Sequence, residues 1–240
     1  MSIAHKIFTL LGGKEGSFLQ KKWAKHCLKK DYKARQKILH LYGLEALQAF
    51  KDACQECGTE YWLEFGSLLG AFRNGSFIPH DIDIDMGMMK DSYSQELEDK
   101  LISKGFVKDH SFDLLDVKSG KRTTSECTFY YKGLAIDIFF GIRQGESYKI
   151  YEYIVGKGCV VSETISYSFD KFEGLSTVKI NGLELSAPAN PQKVLEFYYG
   201  KNFMKPDPNW NSADWKNDNI VHHPVSEITG IFVRTPKNAE

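Results

Sequence analysis

Between Ser17 and Cys57 the apolar positions recur at helical spacing. Leu39, Tyr42, Leu44, Leu47, Phe50, Ala53 and Cys54 stand among many lysines, which predicts two or three amphipathic helices with a solvated basic face. Gly58 follows the last periodic residue, where a glycine commonly closes a helix. TEYWLEF then reads as a strand that delivers the chain to Gly66-Ser67. Ser67 is the expected cap of a short helix, LLGAFRNG, ending at Asn74-Gly75. From Asp81 to Met88 acidic and apolar residues alternate. On a strand, residues two apart share a face, so Asp81, Asp83 and Asp85 point one way and Ile82, Ile84 and Met86 the other.

Past this strand, DSYSQELEDKLISKGF predicts one helix closed by Gly105. The signals from about Phe106 to Ser186 are those of strands. TFYYKGLAIDIFFGI has the aromatic and β-branched enrichment of a hairpin, and STVKINGLELSAP offers a two-residue Asn-Gly turn. Pro191 through Tyr199 reads as a helix with proline in its first turn, stopped by Gly200. The chain after Lys201, rich in Pro, Asn, Asp and Trp, reads as irregular. The expectation is one α+β domain over residues 1–240: a helical part (1–57), a core with a mixed β-sheet and flanking helices (58–200), and an irregular tail (201–240).

Charge narrows the function classes. Lys plus Arg and Asp plus Glu both total 31, and no polybasic block interrupts the balance, so nucleic acid is not an expected partner. No run of eighteen apolar residues predicts a membrane span, and the first residues lack a signal-peptide cleavage pattern. A cytoplasmic location is expected, with peripheral contact at the inner face of the membrane left open. Five cysteines at irregular spacing do not form a disulfide framework. Cys54 and Cys57 make a lone CxxC inside a helical run and are expected as buried or half-buried thiols, because a structural zinc needs about four ligands. His222-His223, in a polar tail, is expected to face solvent.

The alternating aspartates pose a chemical problem. A surface loop has no use for isoleucine at every second position, and unpaired carboxylates taken out of water cost several kcal/mol each, by order of magnitude. Like charges so close raise one another's pKa unless a cation joins them. Hard divalent ions such as Mg²⁺ or Mn²⁺ prefer carboxylate oxygen and commonly bind through one or two carboxylates plus substrate phosphates. The alternative is an acidic strand end paired with lysine or arginine. Asp137, alone in the apolar strand LAIDIFFG, either bonds neighbouring groups or completes a triad with Asp83 and Asp85. Gly66-Ser67, at a helix start, supplies N–H groups and a hydroxyl suited to phosphate.

These residues carry a resemblance. FGSLLGAFRNGSFIPHDIDIDMGM, followed by AIDIFFG and by LSAPANPQKVLEFYYGKNFMKPDP, is similar to the LicD family, which includes fukutin and fukutin-related protein, within the nucleotidyltransferase superfamily. The chain departs from the family pattern at His80, where tryptophan is usual, and at Ile82, where many members carry another acid. The resemblance implies a polymerase-beta-like fold and transfer of a phospho-alcohol from a CDP-alcohol such as CDP-choline or CDP-ribitol to a sugar hydroxyl of a surface glycan or lipid-linked glycan, with CMP released. It implies Mg²⁺ or Mn²⁺ held by Asp83, Asp85 and Asp137. In this reading Asp137 is the third ligand or the general base, and Asp81 is a supporting ligand or the alternative base. Gly66, Ser67, Arg73 and His80 are candidate donor contacts, with an Arg73 salt bridge to the aspartates as the competing role. Two other functions compete: transfer of a nucleoside monophosphate from a triphosphate, and a silent binding scaffold.

Overall fold

The computed structural model describes residues 18–156, 159–207 and 219–236. A single helix, α1 (Phe18–Glu56), replaces the expected two or three. The only glycine within it, Gly43, does not break it. A Cβ there would stand 2.6 Å from Phe77 Cζ, so this glycine lets α1 press onto the loop after the next helix. Strand β1 (Trp62–Leu63) leads into α2 (Phe65–Asn74), which ends at a left-handed Gly75. Strand β2 spans Asp83–Met89, two residues shorter at its start than the alternation suggested, so Asp81 lies in the loop before it. A short 3₁₀ turn and α3 (Gln95–Ser103), capped by Ser94, follow.

The remaining strands are β3 (Phe106–Asp116), β4 (Arg122–Tyr131), β5 (Leu134–Gln144), β6 (Ser147–Val155), β7 (Val161–Phe169), β8 (Leu175–Ile180) and β9 (Leu183–Pro188). The two expected hairpins are present: β4 pairs antiparallel with β5, and β8 with β9 across Asn181-Gly182, both at positive φ. Helix α4 (Pro191–Tyr199) takes its cap from Asn190 and stops at Gly200. The tail is not irregular throughout: it supplies β10 (Ile220–His223) and β11 (Ile228–Arg234). Each finds an open sheet edge, β10 on β7 and β11 on β3. Unpaired edge groups on a sheet invite such a partner.

The main sheet runs β10-β7-β6-β5-β4-β3-β11, with β2 joined parallel to β5 and β1 joined to β2. It is α+β and mostly antiparallel, and the β2–β5 pair makes it mixed. Alternation along β2 divides two apolar layers. Ile84, Met86 and Met88 are fully buried with Leu39, Leu47 and Phe50 of α1 and Leu97 of α3. The opposite face carries Asp83 and Asp85 beside an aromatic cluster of Trp62, Phe65, Phe139, Tyr148, Tyr167 and Tyr198. Gly87 belongs to that face, and the indole of Trp62 lies on it: a Cβ there would meet Trp62 Nε1 at 2.0 Å. Gly87→Ala must displace this ring. It should lower stability by about 1–3 kcal/mol, as overpacking does, read as a shifted urea midpoint; an unshifted midpoint would contradict the packing described.

Candidate active site

Strand pairing aligns the carboxylates. Asp85 of β2 is the register partner of Asp137 on parallel β5, with Asp83 two residues earlier on the same face. Direct partners in a sheet stand side by side, so the two strands bring Asp83, Asp85 and Asp137 together. Thr128, the partner of Asp137 on β4, donates its hydroxyl proton to Asp137 Oδ1 at 2.5 Å. Asp81 joins from its loop, which α1 holds: Tyr32 Oη donates to the His80 carbonyl and Gln36 Nε2 to the Pro79 carbonyl at 2.9 Å.

The start of α2 faces this group. The space in front of Gly66 is a cradle that a Cβ would fill, 3.2 Å from Asp81 Oδ2 and 3.5 Å from Asp85 Oδ2. Glycine therefore lets the carboxylates approach the positive end of the helix, where negative charge is favoured. Glu64, not Ser67, is the cap, its carboxylate accepting from Phe65 N at 3.4 Å. Ser67 is buried inside the first turn, and its Oγ accepts from Asp85 N at 2.9 Å, tying the helix to β2. Phe65 carries the strain of this entry, with φ of +36° in a region a bulky side chain rarely adopts.

Two predicted site residues stand apart. Arg73 sits at the opposite end of α2 from Gly66-Ser67, where its Nη2 donates to the Phe203 carbonyl; it pairs with none of the aspartates. His80 is exposed, its backbone rather than its ring engaged. The cation among the described residues that reaches the carboxylates is Arg35 of α1, 3.7 Å from Asp83 Oδ2 and half-exposed. Nothing in the periodicity of a lysine-rich helix singled it out. Thr128, Glu126 and Glu152 were also missed. Tyr199, at the end of α4, stands within electrostatic reach of Asp85, Glu152 and Asp81.

One guanidinium does not balance these acids. Burial, then the charge of Asp83, pushes Asp81 up to about 7. Burial raises Asp83 while Arg35 pulls it back. Asp85 rises well above the carboxylate range through burial and its neighbours Asp83, Asp137 and Asp81. Asp137 reaches about 7, raised by burial against the Thr128 hydrogen bond. Burial also lifts Glu152 and Glu64 to about 7, and Glu126 well above its usual value.

Among the described residues no three acidic, thiol or imidazole groups already stand in a metal-holding arrangement. The donor set nevertheless fits a hard divalent ion: carboxylate oxygens aligned on adjacent strands, raised in pKa, with an open cradle at Gly66. The CxxC does not add to it, since Cys54 is buried in α1, Cys57 is half-buried, and both are free. His222 is exposed beside Glu163, and His223 is half-buried against Ser166. A recess of about 300 Å³, with Tyr148, Phe169, Phe172 and Phe197 in its lining, shares Trp62 with the wall of the site, but the aspartates do not line it.

A family model described as LicD/FKTN/FKRP, nucleotidyltransferase domain, matches residues 58–190, more than half of the chain. The chain belongs to this family. The LicD match holds Gly66 and all four aspartates and leaves Arg35, α4 and β11 outside. Similar proteins include the ribitol-5-phosphate transferase FKTN of Homo sapiens and of Macaca fascicularis, each 24% identical over 173 residues, which cover 72% of this chain and 34% of theirs. The ribitol 5-phosphate transferase FKRP of Homo sapiens is 56% identical over 34 residues, 14% of this chain and 7% of its own length. The chain thus spans about a third of the length of the fukutin relatives it matches.

The raised carboxylates have a signed consequence. Their folded pKa exceeds the unfolded value near 4, so the folded state binds more protons and stability falls as pH rises from about 4 to about 7. With a chelator present, the urea midpoint should be higher at pH 5 than at pH 8, and Asp81→Asn should narrow the difference. An equal difference in both proteins would contradict this placement of Asp81.

Proposed function

We propose that this LicD-family chain transfers a phospho-alcohol from a CDP-alcohol to a sugar hydroxyl of a glycan and releases CMP. The observation that carries the reading is the row Asp83, Asp85 and Asp137 on one face of the sheet, with Asp85 and Asp81 facing the N-terminus of α2. Transferase relatives support it by name. Asp83, Asp85 and Asp137 would hold Mg²⁺ or Mn²⁺, which when bound supplies positive charge to a pyrophosphate and to the departing phosphate. The backbone N–H groups of Gly66 and Ser67, which have no intrahelical partner at a helix start, orient donor phosphate.

Asp81 is the better placed general base, since it stands off the strand and its pKa near 7 suits proton transfer near neutrality. It takes the proton of the attacking sugar hydroxyl. The sugar oxygen bonds to the phosphorus that bears the alcohol, the pyrophosphate bridge breaks, and the bridging oxygen leaves with CMP. Asp137, fixed by Thr128, keeps the ligand role. Arg73 is left out of this reading because it lies in the last turn of α2, away from Gly66-Ser67, with its Nη2 on the Phe203 carbonyl. Among the described residues no helix is long and apolar enough to cross a membrane.

The nucleotidyltransferase wording of the matched family favours one competing reading, transfer of a nucleoside monophosphate from a triphosphate with pyrophosphate as by-product. Chromatography of reactions with CDP-ribitol, CDP-choline, CDP-glycerol, CTP or ATP plus Mg²⁺ separates the two. The proposal expects CMP from a CDP-alcohol, with Asp85→Ala lowering turnover at least 10²- to 10³-fold, roughly the effect of removing one charge-stabilising group. Pyrophosphate from a triphosphate, or full activity of Asp85→Ala, would overturn it.

A further inference from the structure

The rung that aligns Asp85 with Asp137 continues across the sheet. Thr128 of β4 is the register partner of Asp137, His110 of β3 is the partner of Thr128, and Arg234 of β11 is the partner of His110. Hydrogen bonds follow the same line. Thr128 Oγ1 donates to Asp137 Oδ1 at 2.5 Å and lies 3.2 Å from His110 Nε2; His110 Nδ1 lies 2.9 Å from Asp109 Oδ2, and Arg234 Nη2 lies 3.5 Å from Asp109 Oδ1.

Two features show that this line is built. Neighbouring residues of a regular strand point to opposite faces, so Asp109 should not reach its neighbour's ring. The β3–β4 register slips between Lys108 and His110, leaving Asp109 as the extra residue of a bulge, the device that re-aims side chains next to active sites. The tail pins that bulge, Thr235 N donating to the Asp109 carbonyl at 2.8 Å. The His110 ring is held between Phe112 and Phe232, with centroids at 5.7 and 4.8 Å, and Phe232 comes from β11.

We propose that Thr128, His110 and Asp109 are positioning residues that set the carboxylate of Asp137, and that the tail strand β11 completes them. An aspartate on a strand can turn about two side-chain bonds, and the repulsion of Asp83 and Asp85 favours turning away. The Thr128 hydroxyl holds Oδ1 and leaves Oδ2 for the cluster. That hydroxyl has one proton. In the tautomer whose Nδ1–H donates to Asp109, Nε2 is an acceptor: while Asp137 takes the hydroxyl proton Nε2 goes without it, and if Asp137 does not, the proton turns to Nε2. Asp137 and His110 therefore compete for one hydroxyl, and a change at one is felt at the other about 10 Å away, two strand spacings.

Spectroscopy reads this coupling without donor, acceptor or metal. The full chain is labelled with ¹⁵N in its histidine rings, and His110→Gln assigns His110 among the 7 histidines. Asp137→Ala is expected to shift the His110 Nε2 resonance and spare the other histidines. The response should vanish when Thr128→Val is added and persist with Thr128→Ser. Asp137→Asn, which keeps an uncharged acceptor, is the second variant and should give a smaller shift of the same sign. An unmoved His110 in both Asp137 variants, a full response despite Thr128→Val, or loss of amide dispersion in both Asp137 variants would overturn the proposal. Its effect on turnover rests on the phospho-alcohol reading: His110→Ala and Thr128→Val should lower kcat by about 10- to 100-fold, as loss of outer-layer support at metal sites does, with donor KM unchanged and Thr128→Ser restoring the rate. A coupled His110 in a chain that releases no CMP would sink the functional reading and leave the relay standing.

Discussion

Four aspartates held against one side of a sheet repel one another, and much of the chain is arranged to contain that repulsion. Parallel pairing of β2 with β5 puts Asp85 beside Asp137, so no rotation of one strand alone separates them. The opposing contributions are small. Arg35 is half-exposed, and ion pairs of that kind are worth about 0–1 kcal/mol. The N-terminus of α2 offers a similar amount. The raised pKa values are the remainder: burial and mutual repulsion push these carboxylates above their ordinary range.

Stability for such a site comes from the other face of the same strands. Ile84, Met86, Met88, Ile136 and Ile138 are buried against α1, α2 and α3, which fixes the backbone to which the acids are attached. On the acidic side, the aromatic cluster and Trp62 on Gly87 hold β1 and the strained entry to α2 at Phe65. The site is thus a polar strip between two apolar layers. Removing one acid takes away repulsion without opening either layer.

Much of this was legible in the chain because its signals are local. The period of two from Asp81 to Met88 gave the shared face of Asp83 and Asp85. Asn181-Gly182 gave the β8–β9 turn, and Pro191 with Gly200 bounded α4 within a residue. What escaped depends on partners distant in sequence. Ser67 resembled a cap, but the carboxylate of Glu64 reached the helix start first, which freed the Ser67 hydroxyl for Asp85 N. Arg73 resembled a phosphate ligand, yet the rise of α2 carried it to Phe203. Arg35 lay among lysines with nothing to mark it. The tail strands follow a stretch rich in Pro, Asn, Asp and Trp that masked them, and they form because β3 and β7 present open edges. His110 and Asp109 needed a bulge that no spacing revealed.

A divalent ion joining the aspartate cluster would lower the carboxyl pKa values that burial and mutual repulsion raise, and so release protons. Calorimetric titration of Mg²⁺ into the metal-free chain at neutral pH, in two buffers of different ionisation enthalpy, tests it directly, because carboxylates must lose their protons to bind metal. Binding is expected with a heat that differs between the buffers through released protons, and Asp85→Asn should abolish it. No binding, or the same heat in both buffers, would contradict it.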